Sequence, residues 1–178
     1  MHASKGKSLY LRVPILIYFV YLFVSHLNGL NNWNVLNPLS IASYELGHFA
    51  FSWMGGFMAV LGGMIFQLGL PIVAVLNFYF RGDFFAMMFS FGWLSISFFV
   101  LVRFVTEARG MGMPLIGPFS ERNILADWYT FLTQTNLLPY TKFISSALNT
   151  FAFLGMFICL AGGLWLVILA KRNSSVSL

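Results

Sequence analysis

The sequence predicts an all-α integral membrane protein: a single membrane domain over 1–178, folded as a polytopic bundle of about four or five transmembrane helices, one of which can be drawn as re-entrant. Three observations predict it. Hydrophobic residues make up 59% of the chain and charged residues only 8%, against roughly 25% charged in soluble domains. The apolar residues gather into stretches near the ~20 residues that cross a ~30 Å hydrocarbon core. The ten Lys and Arg nearly all lie beside the ends of those stretches, where anchoring and orienting charges belong. Lipid tolerates an exterior this poor in charge, and 21 phenylalanines suit helices that face lipid and one another.

The first span is read over 11–27. Lys5, Lys7 and Arg12 precede it in the manner of a signal peptide, but Ser25, His26, Leu27 and Asn28 offer no small-x-small cleavage site. The segment is therefore expected to stay as an uncleaved helix. An uncharged, Asn-rich loop follows over 28–40. The next apolar stretch, 41–80, is too long for one helix and long enough for two, and Gly55-Gly56 is the natural break. We read 41–53 as a span or half-span and 57–80 as a full span. Arg81, Gly82 and Asp83 make a polar turn before the span 84–104. A long connection over 105–142 then carries most of the acidic residues. Within it, Ser120 is placed to cap a short helix through Thr133, with Ile124, Leu125, Trp128 and Leu132 on one face beside Tyr129. That pattern suits a helix lying in the membrane interface. Arg109, Gly110, Gly112 and Pro114 predict a turn at the membrane surface, with a loop bordering a cavity as the alternative. The last span, 144–170, stops at Lys171 and Arg172.

The net charge of +5 is not the footprint of a nucleic-acid binder, because no contiguous basic stripe exists. The one cysteine, Cys159, lies in an apolar run and permits no internal disulfide. Two stripes of small residues recur every fourth position: Gly55, Ala59 and Gly63, and Gly155, Cys159 and Gly163. Such stripes let helices approach closely in lipid. They are read as contact faces for other membrane proteins, with packing inside this chain as the equal alternative.

Ionisable groups inside a membrane span are costly and are functional candidates by default. Glu45 and His48 stand out, in Tyr44-Glu45-Leu46-Gly47-His48. This is an HExxH motif with its first His replaced by Tyr. In HExxH the two His share a helix face and bind zinc, and the Glu acts as general base on the metal-bound water. A structural reading stands beside this one: His48 hydrogen-bonded inside the bundle, Glu45 protonated or paired with an Arg. A heme or pigment needs only one or two His ligands, so His26 or His48 could also serve that role.

Further blocks accompany the motif: YELGHFAF at Tyr44–Phe51, LGGMIFQLGLP at Leu61–Pro71, FYFRGDFFA at Phe78–Ala86, TEARGMGMPLIG at Thr106–Gly117 and ADW at Ala126–Trp128. With these the chain resembles the site-2-protease-like membrane metallopeptidases, in a small bacterial branch of short proteins. The resemblance covers about half the chain. There the blocks read HEAGH, LGG-x3-QL-x2-P, RGD, DAR-x3-LPL-G and HDW. The resemblance implies His48 as a metal ligand, Glu45 as the base, Glu107 as a further ligand in place of the family's Asp, and a bacterial inner (cytoplasmic) membrane. It does not carry over Tyr44 or Ala126, which replace two His. Catalytic zinc normally has three protein ligands and an open position, so Asp127 or the Tyr44 phenol would have to supply the third.

The motif also sets a topology test. If 41–80 crosses twice, Glu45 and Glu107 end on opposite faces. If 41–53 is re-entrant, they approach the same side. Charge counts do not choose between the two, and the resemblance favours the re-entrant form. The function expected is a non-catalytic membrane subunit on a degenerate metalloprotease-like scaffold within a larger complex. The alternatives are an active intramembrane zinc protease and a pigment- or heme-holding accessory subunit. No cofactor is assigned, with zinc left open.

Overall fold

The computed structural model describes residues 5–29, 34–110 and 119–175, with side chains described at 12–29, 34–110 and 124–172. It is all-α among these residues, with six α-helices: α1 (Lys5–Leu27), α2 (Asn37–Phe51), α3 (Gly56–Phe80), α4 (Phe84–Ala108), α5 (Phe119–Gln134) and α6 (Thr141–Ser175). A 3-10 turn (Ser52–Met54) follows α2, and another (Leu138–Tyr140) precedes α6. Three segments, Gly56–Phe80, Phe84–Ala108 and Leu138–Arg172, are long and apolar enough to cross a membrane, and Arg12–Leu27 is a shorter apolar helix. The chain is an integral membrane protein.

The exterior is apolar, unlike that of a water-soluble domain, around a core that is itself mostly apolar. Large apolar side chains point outward, Phe80 at 81% exposure among them, while Ser40, Ser90, Ser95, Ser97 and Gln67 are buried. Lipid rewards that arrangement, since tails solvate Phe and Leu while small polar groups must find partners inside. Ser40 and Ser97 hydrogen-bond each other at 2.9 Å, and Ser95 Oγ donates to the Ala152 carbonyl at 2.7 Å. Gln67 is an exception, as are Asn37 Oδ1, Trp93 Nε1, Trp128 Nε1 and Thr141 Oγ1: Gln67 is fully buried and neither amide atom has a protein partner. One turn on, Pro71 has no N–H to give to the Gln67 carbonyl.

Contacts along the helices fix their directions. Arg12 meets Phe85, Phe19 meets Gly92 and His26 meets Phe99, so α1 and α4 run the same way in step. Leu16 meets Gly163 and Phe23 meets Phe153, so α6 runs opposite to α1. The end of α1, the start of α3, the end of α4 and the start of α6 therefore share one side. Between α1 and α3 the chain makes no net crossing. The Val35 N–H donates to the Tyr18 hydroxyl at 3.2 Å, more than two turns back along α1. From that depth α2 climbs to the Gly55 turn. Its 15 residues rise about 22 Å at 1.5 Å each, short of a ~30 Å core. α2 therefore returns the chain to the side on which α1 ends.

Gly55 closes that segment with φ +99°, a conformation that disfavours any side chain. The predicted break is real, and its neighbours are close-packed. A Cβ on Gly63 would sit 2.6 Å from the Tyr44 ring, and one on Gly62 2.7 Å from the Gly47 carbonyl oxygen. The small-residue stripes are thus filled from within: Tyr44 occupies Gly63, Ala59 and Cys159 are buried, Gly155 abuts Ser95, and Leu16 covers Gly163. Of the two readings of these stripes, packing inside the chain accounts for Gly63 and Gly163. Gly55 itself lies at the cap, outside the helix.

Other boundaries also shift. α2 begins at Asn37 rather than 41, because Pro38 sits in its first turn, where a missing N–H is harmless. α4 continues one turn past 104 to Ala108, so Glu107 is helical rather than in a loop. α5 begins at Phe119, which places Ser120 inside the helix. Ile124, Leu125, Trp128 and Leu132 are buried as one face. The turn expected around Gly112 and Pro114 lies outside the described residues.

Candidate functional site

Tyr44, Gly47 and His48 lie on the inner part of α2, and the 3.6-residue repeat places Glu45 on its outer side. Tyr44 is 1% exposed, with its ring laid on Gly63. The ring of His48 lies 6.0 Å from that of Tyr44 at an interplanar angle of 30°. Both reach Asp127 of α5. His48 Nε2 stands 3.2 Å from Asp127 Oδ2, and the Tyr44 hydroxyl donates to the same oxygen at 3.4 Å, long for an O–H···O bond. A carboxylate oxygen only accepts, so the His48 contact requires the proton on Nε2. Burial pushes the Asp127 carboxyl above its usual range, against the pull of His48 and of the Tyr44 hydrogen bond.

Three of the residues singled out in the sequence, Tyr44, His48 and Asp127, thus converge. Glu107 does not join them. It accepts from Arg103 Nε at 2.8 Å, one turn back on α4, and lines a separate cavity with His26 of α1 and Asn149 of α6. Glu45 is exposed beside Leu46, Phe49 and Trp53, the last two at 78% and 81% exposure. His26 stacks on Phe99 with centroids 3.9 Å apart and gives Nδ1–H to the Leu22 carbonyl at 2.8 Å.

The donor set does not fit a catalytic zinc. Among the described residues no three His, Cys, Asp or Glu side chains gather around one point. The cluster offers one imidazole, one carboxylate and a phenol. The hydrogen bonds to Asp127 use the nitrogen and the oxygens that would otherwise face a metal. The change from His to Tyr has a steric side as well: the phenol ring fills the space over Gly63. What the arrangement does is tie α2 to α5 over the head of the bundle.

Sequence reasoning missed the cavity around His26, Arg103 and Asn149. The one signal for it was the Arg103/Glu107 pair at i, i+4, visible only if the helix is carried past 104. No protein-family model, no curated protein and no solved structure matches the chain.

Proposed function

We propose that the protein is a non-catalytic membrane subunit, built on a degenerate metalloprotease-like scaffold, that works by binding another membrane protein through the outer face of α2. The observation that carries the reading is the position of Glu45. It stands where the motif's general base belongs, yet it is exposed on α2 and makes no contact with the His48–Asp127 pair, while Leu46, Phe49 and Trp53 are exposed on the same stretch. A base cannot act on water at a site it does not reach. Among the described residues no ion pair engages it. A carboxylate on the apolar side of a half-span is costly in lipid unless it is paired. A partner helix with an Arg, Lys or His at matching depth supplies that pairing, and Phe49 and Trp53 supply apolar contact around it. The resemblance to the short bacterial metallopeptidases supports the scaffold assignment and a bacterial inner membrane.

The test is a photo-crosslinking residue placed at Phe49 in the intact membrane, with Ile17 of α1 as the control position. Phe49 should yield one dominant protein adduct and Ile17 none. Glu45→Lys should abolish the adduct, and mapping of the crosslink should find a basic residue in the partner's span. A lone monomer at both positions would overturn the reading.

A further inference from the structure

We infer that the cavity between α1, α4 and α6 binds the headgroup of a zwitterionic phospholipid carrying a primary amine. The cavity holds about 350 Å³ and is lined by His26, Phe99, Val102, Arg103, Glu107 and Asn149, among others. That volume lies within the range of small-ligand sites. Its polar residues come from the last turn of α1, the last two turns of α4 and the early part of α6. All three segments belong to the same side of the bundle, near the ends of its apolar runs.

The chemistry is divided along the cavity. Phe99 and Val102 give an apolar wall at the inner end, suited to the glycerol and the first methylenes of the chains. Arg103 brings a guanidinium, which matches phosphate geometry. Glu107 brings a carboxylate, more exposed than Arg103 at 41% against 24%. With Nδ1–H given to Leu22, a neutral His26 keeps Nε2 as an acceptor. A cation and an anion side by side, with an imidazole acceptor and the Asn149 amide, complement a phosphate joined by two carbons to an ammonium. An anionic headgroup meets Glu107 as a like charge, and a trimethylated amine has no N–H to give to Glu107 or His26.

The measurement is retention of lipid by the purified full-length protein. Native mass spectrometry would follow exchange into phosphatidylethanolamine, phosphatidylcholine or phosphatidylglycerol of identical chains. Phosphatidylethanolamine should be retained on the order of tenfold more strongly than either competitor, the scale of one charge-assisted hydrogen bond. Glu107→Gln should erase that preference, and Arg103→Gln should weaken retention of all three. His26→Phe, which keeps the ring over Phe99 and removes the acceptor, should reduce the preference and serves if the charge variants fail to fold. Equal retention of the three lipids by the native protein, or a preference that survives Glu107→Gln, would refute the assignment. Displacement by soluble phosphoethanolamine at concentrations similar to the lipid would overturn the lipid as the source of the headgroup.

Discussion

The Tyr44 hydroxyl donates to Asp127 Oδ2 at 3.4 Å across 83 residues of chain, and His48 Nε2 meets the same oxygen at 3.2 Å. One carboxylate thereby holds α2 under α5. A cluster that is a clamp and one that is a metal site respond differently to substitution.

Asp127→Asn keeps an oxygen that accepts from both Tyr44 and His48 and removes a charge that folding disfavours. The raised carboxyl means that the folded protein binds that proton more tightly than the unfolded chain does. The contribution of Asp127 to stability is therefore full below the ordinary carboxyl range and is lost as pH rises through the raised value. Asp127→Asn should change stability by less than about 1 kcal/mol and flatten this part of the pH profile. Asp127→Ala strands both donors and should cost about 1–3 kcal/mol. Thermal unfolding in detergent from pH 4 to 8 would show the difference.

The seat of α2 on α3 depends on absent side chains. A Cβ at Gly47 would run into the Gly62 carbonyl and stand 2.7 Å from Phe66 Cβ, and one at Gly63 would stand 2.6 Å from the Tyr44 ring. Each Gly→Ala change should cost about 1–3 kcal/mol, with Gly47 the worse because backbone cannot step aside. Gly69, with nothing within 4 Å, should accept Ala without loss. Limited proteolysis near residues 52–55 should rise in the first two variants and stay unchanged in the third.

Gln67 is fully buried with neither amide atom paired to protein. Gln67→Leu removes two stranded polar atoms at nearly equal volume and should leave stability unchanged or raise it by about 1 kcal/mol. A loss above about 2 kcal/mol would mean that the amide makes hydrogen bonds through buried water.

Much of the fold was legible in the sequence. The spans 57–80 and 84–104 correspond to α3 and α4, since an uninterrupted apolar run bounded by Arg81-Gly82-Asp83 leaves little freedom. The Gly55-Gly56 break was legible because glycine is the residue that interrupts an apolar helix, and Gly55 takes φ +99°, outside what L side chains readily adopt. The start of α2 was not read, because Asn37-Pro38 is a helix-start signal that hydropathy passes over. Glu107 was nominated as a ligand by the resemblance, as the counterpart of the family's Asp. Continuation of α4 to Ala108 sets it one turn above Arg103, and side-chain direction sends it to α1 and α6 rather than α2. Tyr44, His48 and Asp127 were each nominated, but the hydrogen bonds among them depend on tertiary packing that the sequence pattern does not reveal.

The most direct test is the zinc content of the full-length protein, purified without chelators and equilibrated with zinc before desalting. We predict well under one zinc per chain, with His48→Ala leaving the value unchanged. Close to one zinc per chain, lost in His48→Ala and kept in Glu45→Gln, would contradict the account.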